Sequence, residues 1–172
     1  MLVKNILLLL CSFAFALDFS SVSLDDDEIE FDILNDNIIV ATRNGISLID
    51  SKTCSKFELH KFKKKHHAVA KVALSENAVF LNNENCVFKC YDFSGKLLFK
   101  NKLPSVSRSN IVVSDLNVFF SLVNQYVMCY SKDGSLIWVN KEYYNEDVMY
   151  KNDIKVGKYL YFLHKGGVSV LE

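Results

Sequence analysis

The sequence has few of the residues that break regular structure. Its 172 residues include one proline and six glycines, which excludes a collagen-like chain or a flexible linker. Basic and acidic side chains are balanced at 20 each, so the net charge is zero. Because nucleic-acid-binding proteins usually carry a broad positive field, we expect no nucleic acid among the partners. Half of the residues are hydrophobic and 13% are aromatic, which excludes global disorder and suffices for one packed domain.

The first residues have the pattern of a secretory signal peptide. Lys4 precedes an apolar run, Ile6–Phe15, and Ala14–Ala16 provides the small-x-small pattern of a cleavage site. The apolar part, about 10 residues, is shorter than the roughly 20 that a transmembrane helix needs, and no later uncharged run is long enough. We therefore predict a signal peptide over residues 1–16 and a mature chain, residues 17–172, in a lumen, a periplasm or the extracellular space.

Cysteines are few, and their spacing limits their chemistry. Lipidation of Cys11 is not expected, because three leucines precede it in place of the usual small residues. Cys86 and Cys90 would lie about 13 Å apart on one strand, beyond the roughly 7 Å that a disulfide allows, and C-x3-C is not the usual zinc spacing. The mature chain also contains Cys54 and Cys129, which gives four cysteines. These could form two disulfides or remain buried as apolar side chains, and we favour the buried state.

A repeat of about 40 residues is the strongest pattern in the chain. Similar segments begin at Asn37, Asn77, Asn117 and Lys158, at intervals of 40, 40 and 41 residues. Each belongs to a set of short runs rich in Val, Ile, Phe and Tyr, separated by turns rich in Asn, Asp, Gly and Ser, which is typical of four strands per repeat. The repeats cover about 29–60, 68–100, 110–140 and 148–172.

This periodicity predicts an all-β protein, specifically a β-propeller with four-stranded blades. No segment has a capped apolar stripe of helical period, and blades of 40 to 45 residues bury their two faces by stacking on neighbours. A β-sandwich or an open meander is the alternative fold. About 3.5 to 4 blades are visible, so the propeller is either partial or closed by a strand such as Asp18–Leu24 that completes the last sheet.

Three segments resemble the repeat of quinoprotein-type propellers, in which a strand ends in an Asp-Gly or Thr-Gly turn and the next strand closes on an aromatic residue. They are residues 87–99, 127–138 and 38–53. The resemblance implies that Leu59, Phe99 and Trp138 are equivalent and lie between blades. The first repeat departs from the pattern by having Ser55 for the glycine and Leu59 for the aromatic residue.

The same resemblance argues against catalysis. Quinoprotein enzymes hold pyrroloquinoline quinone against a tryptophan, with calcium and adjacent bonded cysteines, whereas this chain has one Trp and no adjacent cysteine pair. His60, His66, His67 and His164 form no sequence pattern typical of a metal site. We therefore predict a non-enzymatic protein with no cofactor, no metal and no small-molecule substrate.

Two families place a quinoprotein-like propeller almost directly after a signal peptide, and this chain resembles them in that arrangement. Subunit 1 of the endoplasmic reticulum membrane protein complex begins its lumenal part with a strand pair resembling residues 38–53. That resemblance implies a lumenal scaffold that binds other subunits of a membrane-associated complex supporting membrane-protein insertion. The alternative is a periplasmic outer-membrane assembly factor of the BAM lipoprotein type, and a quinoprotein enzyme is a weaker third interpretation.

Two charge runs remain. Asp25–Glu28 precedes the first predicted strand, and a basic run connects the first and second repeats. The basic run is either a solvated loop or a contact with an acidic partner or an anionic membrane surface. Its candidate contact residues are Lys61, Lys63, Lys64, Lys65, His66 and His67.

Overall fold

The computed structural model describes residues 29–63, 70–83, 85–107, 109–123, 126–141, 154–157, 159–164 and 167–171. Across these ranges the chain forms strands and no helix, as the sequence predicts. The fifteen strands of the described residues are β1 Glu30–Leu34, β2 Asn37–Ala41, β3 Gly45–Asp50, β4 Lys56–Lys61, β5 Lys71–Leu74, β6 Ala78–Asn83, β7 Val87–Asp92, β8 Leu97–Lys102, β9 Val112–Val113, β10 Asn117–Ser121, β11 Val127–Ser131, β12 Leu136–Asn140, β13 Ile154–Val156, β14 Leu160–His164 and β15 Gly167–Leu171.

The strands form four antiparallel sheets in which chain order is also spatial order. Sheet 1 is β1–β4, sheet 2 is β5–β8, sheet 3 is β9–β12 and sheet 4 is β13–β15. The predicted short runs become hairpins because each is followed by a turn. For example, Asn35 takes a left-handed conformation (φ 55°) between β1 and β2, a conformation that asparagine tolerates better than most residues.

Consecutive sheets are stacked face to face. One buried cluster joins sheets 1 and 2, a second joins sheets 2 and 3, and a third joins sheets 3 and 4. All six residues of β6 are buried, because Val79 and Leu81 face sheet 1 while Ala78 and Phe80 face sheet 3. A sheet covered on both faces needs continuous apolar runs, which is why period-two alternation is weak here.

The first strands of neighbouring sheets lie next to one another, β1 beside β5, β5 beside β9 and β9 beside β13. Asp32 on β1 accepts a hydrogen bond from the backbone N–H of Leu74 on β5 (2.7 Å), and Lys71 on β5 forms an ion pair with Glu30 on β1. Radially stacked four-stranded sheets with adjacent first strands are the arrangement of a β-propeller. The described residues therefore have the all-β architecture of a β-propeller, as predicted.

An aromatic cluster fills the space between sheets 2 and 3. Phe88 is fully buried, and its ring centroid lies 4.9 Å from that of Phe120 and 5.0 Å from that of Tyr130. Phe99 contacts the same ring at 5.3 Å with edge-to-face geometry. Such aromatic pairs add to the stabilisation that burial alone provides.

The three residues predicted to lie between blades do so. Leu59 belongs to the cluster between sheets 1 and 2, Phe99 contacts the cluster between sheets 2 and 3, and Trp138 contacts the cluster between sheets 3 and 4. The local strand pairing at Leu59 differs from that at the other two residues. It is the unpaired residue of a β-bulge in β4, whereas Phe99 and Trp138 are paired with Cys90 and Cys129.

The turn glycines of sheets 2 and 3 each contact the preceding sheet. Gly95 (φ 86°) and Gly134 (φ 93°) are left-handed, and a Cβ atom added to them would lie 2.6 Å from the Leu59 carbonyl oxygen and from Cγ of Phe99, respectively. In sheet 1 the left-handed residue is Cys54 (φ 55°), not Ser55 as the sequence comparison predicts. The reason is that the β3–β4 turn has one more residue, so Asp50 N–H bonds to the Ser55 carbonyl.

Several sequence predictions fall outside the described residues. They are the signal peptide over 1–16, the closing strand Asp18–Leu24, the acidic run Asp25–Glu28 and the start of the fourth repeat. The three strands of sheet 4 are described, and the identity of any fourth strand stays a prediction.

Candidate functional site

The predicted basic contact begins at the end of β4. Lys61 and Lys63 are exposed, and Phe62 between them is buried. Lys61 lines a cavity of about 340 Å³ together with Lys56, Glu58 and Phe62. The other predicted contact residues, Lys64, Lys65, His66 and His67, lie outside the described residues.

Next to this segment, His60 lies between two aromatic rings. Its ring centroid is 5.0 Å from that of Tyr91 on β7 and 5.7 Å from that of Phe62. Burial lowers the pKa of His60, the positive charge of Lys89 lowers it further, and Glu58 opposes the shift. His60 is therefore placed in the groove between sheets 1 and 2, where its neutral form is favoured.

Two lysines face each other in the same groove. Lys89 on β7 is the direct cross-strand partner of Lys100 on β8. Lys89 is only partly exposed, and burial together with the charge of Lys100 lowers its pKa. Neither ammonium group makes an ion pair or hydrogen bond within the described chain. Sequence analysis missed this pair, although Lys89 interrupts the apolar run of β7, because the pairing depends on strand register.

The outermost strands of the first three sheets expose large apolar side chains. These side chains are 45–51% exposed, and their repetition on successive sheets gives the propeller an apolar outer rim. Exposed apolar patches of this kind usually mark contact surfaces. The rim residues are Phe57 on β4, Leu97 and Leu98 on β8, and Leu136 and Ile137 on β12.

The four described cysteines are free thiols, so the alternative of two disulfides is not realised. Cys90 and Cys129 are fully buried, and burial raises their pKa to about 12 and about 11. Thiols with such pKa values remain protonated and unreactive near neutral pH. The expected buried state thus holds for these two, whereas Cys54 and Cys86 are partly exposed.

The aspartates of the repeat stabilise its turns. In sheet 2, Asp92 accepts hydrogen bonds from the N–H groups of Ser94 and Lys96, both at 2.9 Å. Asp50 accepts the corresponding bonds from Lys52 and Thr53 in sheet 1. Hydrogen bonds lower the pKa of both carboxyl groups, with the Ser94 hydroxyl as the largest cause for Asp92 and the Thr53 N–H as the largest cause for Asp50. These carboxylates therefore hold turns together, which accounts for their place in the repeat.

Among the residues that the structure describes, two buried polar side chains have no hydrogen-bond partner. They are the amide of Asn82, which lies on the face of β6 directed to sheet 3, and the hydroxyl of Ser121 on β10. Among the described residues, no group of three His, Cys, Asp or Glu side chains converges as a metal site would require. The described part of the chain also contains no helix with the length and hydrophobicity of a membrane span.

The sheets and their stacking define a protein of the β-propeller class, and solved structures agree. The computationally designed Ika4 protein superposes with a TM-score of 0.66 at 13% identity, over 87% of this chain and 92% of Ika4. BamB from Moraxella catarrhalis superposes with a TM-score of 0.66 at 14% identity, over 88% of this chain and 48% of BamB. The chain thus spans about half the length of BamB. No protein-family model matches the sequence, and no curated protein matches it.

Proposed function

We propose that this protein is a non-catalytic scaffold that binds other protein subunits of a membrane-associated complex in the secretory pathway. The apolar outer rim is the observation that carries the proposal. It repeats on three sheets and has the exposed apolar character of protein-binding surfaces. The resemblance to subunit 1 of the endoplasmic reticulum membrane protein complex supports a lumenal location and a role in membrane-protein insertion.

The basic segment is the second part of the proposed contact. Exposed Lys61 and Lys63 flank the buried ring of Phe62, which anchors the backbone from which the lysines project. A backbone bond from Phe62 N–H to the Asn44 carbonyl (2.8 Å) fixes the segment against the β2–β3 turn. Charges held in this way favour an acidic partner or an anionic membrane surface without the full entropic cost of ordering a loop.

Affinity purification from the native organism, followed by mass spectrometry, tests the proposal. We expect recovery of the other subunits of the endoplasmic reticulum complex. Recovery of outer-membrane barrel assembly factors would instead support the BAM-type alternative, for which the similarity of fold to BamB is the supporting observation. Isolation of the protein alone with a bound quinone would contradict both and support an enzyme.

Charge reversal tests the basic segment. Replacing Lys63, Lys64 and Lys65 by glutamate should reduce partner recovery several-fold, because each opposing charge near an anionic surface contributes about 1 kcal/mol. The control is Lys132→Glu with Lys155→Glu, in sheets 3 and 4, which should leave recovery unchanged. Equal loss in both variants would show that the segment is not a specific contact.

A further inference from the structure

The groove between sheets 1 and 2 carries positive charge that the described chain does not neutralise. Lys89 and Lys100 are paired directly across β7 and β8, and Lys89 and Tyr91 share the face that is directed to sheet 1. Lys102, paired with Val87, lies on that face as well. Like charges placed opposite each other on a sheet oppose folding, and a partly buried ammonium without an anion adds a desolvation cost. An anion bound here would relieve both costs.

The strand that carries two of these lysines is also a free edge. Within the described chain β8 pairs only with β7, so its outer side offers unpaired backbone groups to another strand. Lys100 and Lys102 are two residues apart on one face, a separation of about 6.6 Å along a strand. Alternate side chains of an extended peptide have the same spacing. Leu97 and Leu98, both exposed on the same strand, add apolar surface beside the charges.

We propose that the groove bordered by β4 and the β7–β8 hairpin binds an extended acidic segment of a partner protein, which pairs with the edge of β8. Carboxylates on alternate residues of the segment contact Lys100 and Lys102 and neutralise Lys89. The ring of His60 on β4 lies on the sheet 1 side of the groove and contacts the ring of Tyr91 on β7. This inference rests on the proposed function, because the occupant is a protein subunit, and it adds the chemistry by which that subunit is recognised.

Binding is measured with a labelled peptide of alternating valine and glutamate, added to the full chain and followed by fluorescence anisotropy. The glutamine version of the peptide and a version with N-methylated alternate amides are the comparison probes. We expect the glutamine and the N-methylated peptides each to bind at least about tenfold more weakly, which corresponds to about 1.4 kcal/mol. Binding should also weaken as salt rises, since exposed ion pairs are screened.

Variants of the chain locate the site. Lys100→Gln and Lys89→Gln should each weaken peptide binding several-fold, whereas Lys155→Gln on β13 should leave it unchanged. Lys89→Gln should also keep or raise the melting temperature, because it removes an unpaired charge. A lowered melting temperature would overturn the inference, since it would assign Lys89 a structural role.

Four further results would overturn the inference. Equal binding of the glutamate and glutamine peptides would exclude recognition of carboxylates. Full competition by inorganic phosphate would assign the lysines to a small anion, and competition by phosphatidylserine vesicles would assign them to a membrane surface. Equal peptide binding by Lys89→Gln and the parent chain would contradict the inference. If the complex subunits still co-purify with that variant, the proposed function stands although the inference fails.

Discussion

The turn glycine of sheet 3 provides the sharpest test of how the sheets fit together. Gly134 is left-handed, and its Cα lies against the ring of Phe99 in the preceding sheet. Asn101, also in that sheet, donates a hydrogen bond from its side chain to the Gly134 carbonyl (2.6 Å). Gly134→Ala places a methyl group at this contact and perturbs little else.

Two costs add in this variant. An alanine held in a left-handed conformation costs about 1–2 kcal/mol. Its Cβ would lie 2.6 Å from Cγ and 2.8 Å from both Cδ atoms of Phe99, whereas carbon atoms normally stay about 3.5–4.0 Å apart. The ring must therefore move by about 1 Å within a packed interface, which costs about 1–3 kcal/mol. We expect the free energy of unfolding to fall by about 2–5 kcal/mol in total. For a chain of this length, each kcal/mol corresponds to a decrease of roughly 2–4 °C in melting temperature.

Urea and thermal unfolding, followed by circular dichroism, measure the effect. Gly157→Ala is the control, because Gly157 is exposed and its added Cβ would be 3.4 Å from the nearest ring carbon, so its cost should stay within about 0.5 kcal/mol. In a Phe99→Ala background the clash disappears, and Gly134→Ala should cost only the left-handed strain. The reasoning is refuted if Gly134→Ala costs no more than the control, or if Phe99→Ala does not reduce its cost.

Three other variants follow from the same contacts. Phe88→Ala should lower the free energy of unfolding by about 3–5 kcal/mol, since this ring is fully buried between two sheets; a urea titration in which it loses under 1 kcal/mol would contradict the assigned core. Asp32→Ala should cost about 1–3 kcal/mol, because Leu74 N–H loses its acceptor, and amide exchange at Leu74 should accelerate. The pKa of His60 is lowered in the folded protein, so below pH 6.5, the ordinary pKa of histidine, the unfolded chain binds more protons than the folded one. The contribution of His60 to the free energy of unfolding is therefore fully present above pH 6.5 and is lost as the pH falls below it. The melting temperature of His60→Gln should depend less on pH between about 5 and 7.5, and an unchanged dependence would show that His60 is not its source.

The sequence predicts the sheets well because their determinants are local. Repeated asparagines, turn aspartates and short apolar runs specify each hairpin within about 40 residues, and those hairpins form. The sequence analysis missed the extra residue in the β3–β4 turn because a cysteine such as Cys54 is not a residue type expected in the left-handed conformation. Only the hydrogen bond from Asp50 to the Ser55 carbonyl shows the longer turn.

The candidate site was less predictable because it depends on contacts between sheets. A run of lysines after β4 is visible in sequence, so Lys61 and Lys63 were anticipated. The neighbouring charge of Lys89 was not, because its relation to Lys100 and His60 follows from strand register and from the stacking of two sheets. Hydrophobic patterns within a strand carry no information about which side chain of the next sheet they meet.

The contact of each turn glycine with the preceding sheet also shapes how the protein folds and opens. Among the described residues, each buried cluster that spans two sheets joins successive sheets along the chain. Assembly can therefore proceed stepwise, with each completed sheet providing the surface on which the next one packs. Local closure of this kind favours rapid folding because little loop entropy is lost at each step. It also means that the amides of β6, which is enclosed on both faces, should exchange slowly with solvent.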